Sequence, residues 1–206
     1  AGGEIPPLAL FAEHGIDAYG IDISEDQLEK AKQYCTETEI EVDLRTGDMR
    51  NVSFGDEVFD CVYEHYSMCH LSKVETANAI REMHRVTKKN GLCYLGVISL
   101  DSWPKSLYGE EKKYGEYWTE EHGALTRHSM FSDDEADQLV TNWEILSKEK
   151  RVIYLRSAAE AVSNNMWMEM YTEEGDGYTE AEWRAEYSQR NNKYNYTHVY
   201  YLLRKR

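Results

Sequence analysis

The chain predicts an α/β fold: a doubly wound, mostly parallel sheet of seven strands with an antiparallel edge strand. Three observations carry that expectation. Short apolar strands alternate with amphipathic helices through the first hundred residues. A glycine pair, Gly2-Gly3, opens the chain, and an acidic residue, Asp22, closes the first strand nineteen residues after Gly3. Two strand-like runs, Trp143 to Tyr154 and Thr197 to Leu203, come late enough to pair antiparallel at one edge. Alternation of this kind implies right-handed crossovers between parallel strands.

The elements follow in order. Ala1 to Gly3 read as a turn. Pro6-Pro7 open a helix, because the first helical turn needs no N–H from them. Leu8, Leu10, Phe11 and Ala12 give that helix its apolar residues, and Gly15 ends it. Ala18 to Ile23 is a short buried strand. Ser24 caps the helix Glu25 to Tyr34, with Gln27 at capping-box spacing. Glu41 to Thr46 is the next strand and ends at Gly47-Asp48. Val58 to Tyr63 is another. Lys73 to Thr87 is a long amphipathic helix with Ala77, Ile80, Met83, His84 and Val86 on or near one face. Asn90-Gly91 is its stop signal, and Leu92 to Ser99 is a buried strand. After Leu100 the texture changes. Asp101 to Thr126 is rich in Trp, Tyr, Gly and charge, without strand or helix period. Ser132 caps an acidic helix from Asp133 to Val140. Arg156 to Arg190 is helical in part, broken at Gly175-Asp176-Gly177. The expected organisation is a single domain, 1–206. It has an aromatic-rich, lid-like insertion at about 101–130 and a partly helical one at about 156–195.

Composition excludes several classes of function. A chain of 206 residues with 41% hydrophobic residues can bury a core. Its net charge of −15, from 38 acidic and 23 basic residues, argues against a protein that tracks nucleic acid backbone. The basic end Arg204-Lys205-Arg206 is too short to reverse this. No apolar run approaches membrane-spanning length. Cys35, Cys61, Cys69 and Cys93 form no CxxC and no zinc-finger spacing, so no metal site is expected. A reducing, cytoplasmic setting and a small-molecule partner fit this pattern. Oligomeric state is not encoded in any readable feature.

A glycine turn, a helix, a strand and then a carboxylate is a layout that binds nucleotides. Glycines let the backbone approach the ligand, and the acid accepts from ribose hydroxyls. At this point a family emerges. Ala1-Gly2-Gly3-Glu4-Ile5-Pro6-Pro7-Leu8 resembles the tail of the glycine-rich first motif of class I S-adenosylmethionine-dependent methyltransferases, which have a Rossmann-like fold. Tyr19-Gly20-Ile21-Asp22-Ile23-Ser24 resembles their second motif, and Thr46-Gly47-Asp48-Met49 the third. Phe59-Asp60-Cys61-Val62-Tyr63 resembles the fourth strand. Ile80 to Gly91 is similar to the helix and turn before the fifth. The resemblance covers Ala1 to about Ser99.

The resemblance implies S-adenosyl-L-methionine as cofactor, with S-adenosyl-L-homocysteine as product. It implies roles residue by residue. Ala1, Gly2 and Gly3 lie against the amino-acid end of the cofactor, and Asp22 takes the ribose hydroxyls. Ile23 covers one adenine face, Asp48 accepts from the adenine amino group, and Met49 packs on the ring. Glu64 borders the methionine part, and His65 is the candidate general base. Each has a plainer alternative. Asp22 can be a turn residue before a helix, Gly47-Asp48 an ordinary strand end, and His65 a packing residue. His70 reads as structural. The implied activity moves a methyl group to nitrogen or oxygen of a small molecule. An NAD-type Rossmann oxidoreductase is one alternative. A non-catalytic S-adenosylmethionine-binding module is another, favoured by Glu4 where the family commonly has a third glycine. In this fold the strand before the glycine turn is central. The expectation is that the given sequence lacks its natural N-terminus, the alternative being that another segment fills the slot, because an open slot buries unpaired backbone groups.

Overall fold

The computed structural model describes residues 6–64, 66–103, 105–121, 123–154 and 195–206, apart from the side chains of Ser106, Leu107 and Tyr154. The helical insertion expected at about 156–195 lies outside the described residues. Four helices are described: α1 (Pro7–Glu13), α2 (Glu25–Glu37), α3 (Lys73–Val86) and α4 (Asp133–Leu139). The strands are β1 (Tyr19–Asp22), β2 (Asp43–Thr46), β3 (Phe59–Tyr63), β4 (Thr87–Ser99), β5 (Glu110–Lys113), β6 (Glu116–Glu121), β7 (Ala124–Phe131), β8 (Trp143–Tyr154) and β9 (Asn195–Lys205).

The strands form two sheets. β1 and β2 make a parallel pair. The other seven follow the order β5-β6-β7-β4-β9-β8, with β3 also paired to β4. An α/β architecture with helices against the strands is therefore present. The expectation of a mostly parallel sheet is corrected: only β3–β4 and β4–β7 pair in parallel, and the other four pairings are antiparallel. Two causes account for this. β9 inserts antiparallel between β4 and β8, paired with β8 from Asn195 to Lys205 and with β4 from His198 to Arg204. The aromatic segment also folds as an antiparallel meander, β5-β6-β7, that joins the sheet through β7. Gly109, Gly115 and Gly123 set its corners, all with positive φ. At Gly109 any side chain is barred, since a Cβ there would lie 1.9 Å from the Trp118 carbonyl oxygen.

Two of the N-caps are complete capping boxes, with Ser72 and Glu75 opening α3 and Ser132 and Glu135 opening α4. Ser24 caps α2 by accepting from the Gln27 amide at 3.3 Å. The stop of α3 falls earlier than expected. The helix ends at Val86, and β4 starts at Thr87. Asn90 then sits at φ 63 inside β4, within an irregular stretch where Phe59 pairs with Thr87 but Cys61 with Leu92. Asn90-Gly91 thus marks a bulge in the strand.

The main core forms on one face of the larger sheet. Cys93, Leu95 and Val97 alternate along β4, and Val199, Tyr201 and Leu203 alternate along β9. They pack on Ala79, Ile80 and Met83 of α3, Ala136 of α4 and the fully buried Trp143. Each of the Leu, Ile, Val and Met side chains among them contributes about 1.5–3 kcal/mol on burial. On the opposite face Tyr63, Tyr94 and Tyr200 stack at 5.8 Å intervals across β3, β4 and β9. Phe11 of α1 closes one end of this ladder at 5.5 Å, and Arg151 covers the other at 4.9 Å. β1 is held by close packing, since a Cβ at Gly20 would meet Leu8 at 2.8 Å and Leu44 at 2.9 Å.

Candidate functional site

The site builds from the ends of β1, β2 and β3. Asp22 ends β1, and its Oδ1 accepts the Ser24 amide at 2.8 Å. This local bond turns the chain out of the strand and delivers Ser24 to the N-cap of α2. The same turn leaves Ile23 in the open, 67% exposed although apolar. After β2, Asp48 is gripped by Arg50. Its Oδ1 accepts the Arg50 amide at 2.8 Å, and its carboxylate takes the guanidinium at 2.7–3.0 Å. The Arg50 fork holds the Asp48 carboxyl below the usual range. Arg50 also reaches Glu75 at 2.5 Å, and Arg127 reaches Glu75 at 2.9 Å. Met49 is half-buried against the main core.

Glu64 follows β3 and is 6% exposed. Its carboxylate accepts the amides of Ser67 at 2.6 Å and Met68 at 3.0 Å. Burial nevertheless raises its pKa, because desolvation outweighs those donors. Glu64 thereby holds the loop that leads to the 3₁₀ turn Met68–His70. Tyr66 in that loop sits at φ 57, a strained conformation for a residue with a side chain. Its hydroxyl lies 2.8 Å from that of Tyr200, and its ring packs on Tyr196 and His198.

Asp22, Met49 and Glu64 line one cavity of about 410 Å³. Ile23 and Asp48 lie outside that lining, on the neighbouring turns. Ala1, Gly2, Gly3 and His65 lie outside the described residues. His70 contacts the Arg127 carbonyl at 3.1 Å and the His128 ring at 5.1 Å, a packing arrangement. His128 itself has a lowered pKa, chiefly from burial, despite Glu121 at 2.9 Å. Sequence reading missed Arg50, although its place two residues after Asp48 was a usable signal. Tyr66 follows Glu64 at the carboxyl end of β3, where ligands sit in open α/β sheets, but sequence reading missed Tyr196 and His198, which only the β9 pairing brings to it. Among the described residues there is no cluster of His, Cys, Asp and Glu that could hold a metal, and no helix long and apolar enough to cross a membrane.

Comparison with known proteins points to one family. Residues 1–95 match the family model of a methyltransferase domain. Demethylmenaquinone methyltransferase from Desulfitobacterium hafniense (strain Y51) is 31% identical over 101 residues, 48% of this chain and 38% of that protein. The chain thus spans well under half the length of this curated relative. Among solved structures, an S-adenosylmethionine-dependent methyltransferase from Methanosarcina mazei superposes with a TM-score of 0.68 at 15% identity. That match covers 95% of this chain and 85% of the other. A protein from Pyrococcus horikoshii OT3 gives 0.63 at 19% identity, over 96% and 75%. The matched residues hold the strand ends that carry Asp22, Asp48 and Glu64, so the first 95 residues are similar to a methyltransferase domain and the fold is that of the superposed structures.

Proposed function

We propose that this protein transfers a methyl group from S-adenosylmethionine to nitrogen or oxygen of a small-molecule acceptor. The observation that carries the reading is the convergence of Asp22, Met49 and Glu64 on one largely apolar cavity beside the ends of β1 and β3. The residues present suit the cofactor. Asp22 supplies an acceptor for ribose hydroxyls, and the exposed Ile23 beside it offers an apolar cover for a flat ring. Asp48 accepts from an amino group while Arg50 keeps it ionised. Met49 packs on the ring, and Ala1, Gly2 and Gly3 take the amino-acid end. Glu64 acts through its loop, fixing the backbone that borders the methionine part.

The sulfonium supplies an activated methyl group. The protein's own task is to align the acceptor with it and to exclude water, so orientation provides most of the acceleration. His65 serves as general base where the acceptor must lose a proton. The name of the matched relative specifies demethylmenaquinone as its substrate, which supports a small molecule here. The chain's net charge of −15 supports the exclusion of nucleic acid. Cys35, Cys61, Cys69 and Cys93 are all free thiols, which supports a cytoplasmic location.

Titration with S-adenosylhomocysteine tests the assignment. Asp22→Ala is expected to weaken binding tenfold or more, about 1.4 kcal/mol. Unchanged affinity in a folded variant would remove Asp22 from the site.

A further inference from the structure

Charged side chains of alternating sign run from the turn after β2 to the meander: Asp48, Arg50, Glu75 and Arg127. The first pair is local. The amide and Nε of Arg50 donate to Oδ1 of Asp48 at 2.8 and 2.9 Å, and Nη2 donates to Oδ2 at 2.7 Å. Nε also lies 3.0 Å from Oδ2, so its one hydrogen is shared between the two oxygens. An ionised carboxylate has about four acceptor sites. These three N–H groups therefore leave Asp48 able to accept one more donor, on Oδ2. An amino group fits such a site, whereas a carbonyl oxygen is repelled by it.

The rest of the chain of charges is long-range. Nη1 of Arg50 donates to Oε1 of Glu75 at 2.5 Å, across 25 residues of sequence. Oε2 of Glu75 accepts the Ser72 amide at 2.8 Å and the Ser72 hydroxyl at 2.7 Å, which completes the capping box of α3. Oε2 also accepts Nη1 of Arg127 at 2.9 Å, and the Arg127 guanidinium lies 4.5 Å from the centre of the Trp118 ring. The capping box thus uses one oxygen of Glu75 and leaves the other to Arg50. Asp48 and Arg50 stand on one turn, so their mutual bonds alone let the two side chains swing together. The guanidinium is a rigid fork, and fixing its Nη1 end on α3 fixes the end that meets Asp48.

We propose that Glu75, acting through Arg50, is a positioning residue that aims the open acceptor site of Asp48 and makes the site select a 6-amino purine over a 6-oxo purine. This rests on the reading of Asp48 as the acceptor for the adenine amino group. Glu75→Gln separates capping from positioning. Glutamine retains a capping box, but it presents no second carboxylate oxygen to Arg50.

Titration calorimetry of the full chain tests the assignment with two ligands. One is S-adenosylhomocysteine. The other is S-inosylhomocysteine, in which a carbonyl replaces the amino group of the purine. The readout is the ratio of their dissociation constants. The parent should favour the amino compound roughly tenfold or more, the scale of one hydrogen bond to a charged group. Asp48→Ala should bring the ratio close to unity. Glu75→Gln should lower it at least about threefold, the scale of one partly exposed ion pair. Arg50→Lys, which keeps the charge but loses the fork, should do the same and serves if Glu75→Gln does not fold. In the Asp48→Ala background Glu75→Gln should change the ratio no further. Ser132→Ala opens the separate capping box of α4, and it should lower Tm without moving the ratio. A ratio unchanged in folded Glu75→Gln and Arg50→Lys, with Asp48→Ala still abolishing it, would overturn the positioning role and leave Asp48 in place. A further fall in the Asp48→Ala background, or an equal fall in Ser132→Ala, would overturn it too, because the effect would not pass through Asp48. A parent ratio that survives Asp48→Ala would instead remove Asp48 as the adenine acceptor, and the positioning role with it.

Discussion

Glu75 shows how one carboxylate ties the site to its scaffold. It accepts the Ser72 amide at 2.8 Å and the Ser72 hydroxyl at 2.7 Å, and it also pairs with Arg50 and Arg127. These donors, the Ser72 bonds first, lower its pKa to about 2. A carboxyl held lower in the folded state stabilises the fold above the ordinary value near 4.5, and that stability is lost as pH falls toward 2. Glu75→Gln should therefore flatten the stability curve between pH 4.5 and pH 2, as read by chemical denaturation at each pH. An unchanged slope would show that Glu75 is not held by these donors. At this scale the sequence was partly legible. Asp22, Met49 and Glu64 were marked by their places at strand ends, and the structure brings them to one cavity. Arg50 was not marked although it stands two residues after Asp48, and Glu75 and Arg127 were not marked because they join segments far apart in the chain. No periodicity encodes such a junction.

Elements were most legible where capping chemistry or apolar alternation is local. Ser24 and Ser132 sit at the N-caps their side-chain chemistry dictates, and Ser72, which the sequence reading did not mark, caps α3 in the same way. Ser72→Ala should cost about 1 kcal/mol of unfolding free energy. A urea midpoint unchanged from the parent would contradict the observed capping box. The meander β5-β6-β7 was not legible, because charged and aromatic residues mask its alternation. β6 reads Glu116-Tyr117-Trp118-Thr119-Glu120-Glu121, yet Glu116 and Tyr117 are both buried. Its signal was the spacing of Gly109, Gly115 and Gly123, which bound short strands. Gly109→Ala is expected to destabilise by at least ~1 kcal/mol, since φ is 88 and the Trp118 carbonyl occupies the Cβ position. A drop in Tm of a few degrees or more would follow, and a neutral result would mean that the hairpin closes differently.

For the whole molecule, α/β class and element order were legible, and strand direction was not. Parallel order was read from helix–strand alternation, which holds for β1 with β2 and for β3 with β4. Among the described residues the later strands have a single α-helix between them, α4 between β7 and β8. β7, β8 and β9 take their places by tertiary pairing with β4 and with one another. Among the described residues β1 and β2 form a sheet separate from the seven-stranded one. The main core joins α3, α4, β4, β7, β8 and β9 with Met68, and Met83 of that core also lines the cavity. Asp22 itself lies outside the core cluster. The most direct measurement of the central claim is thermal unfolding with S-adenosylhomocysteine and with NAD, each at high excess. At a hundred times its dissociation constant a specific ligand adds about 2.7 kcal/mol, worth roughly 5–10 °C for a domain of this size. The account predicts that rise with S-adenosylhomocysteine and none with NAD. A rise with NAD alone would contradict it.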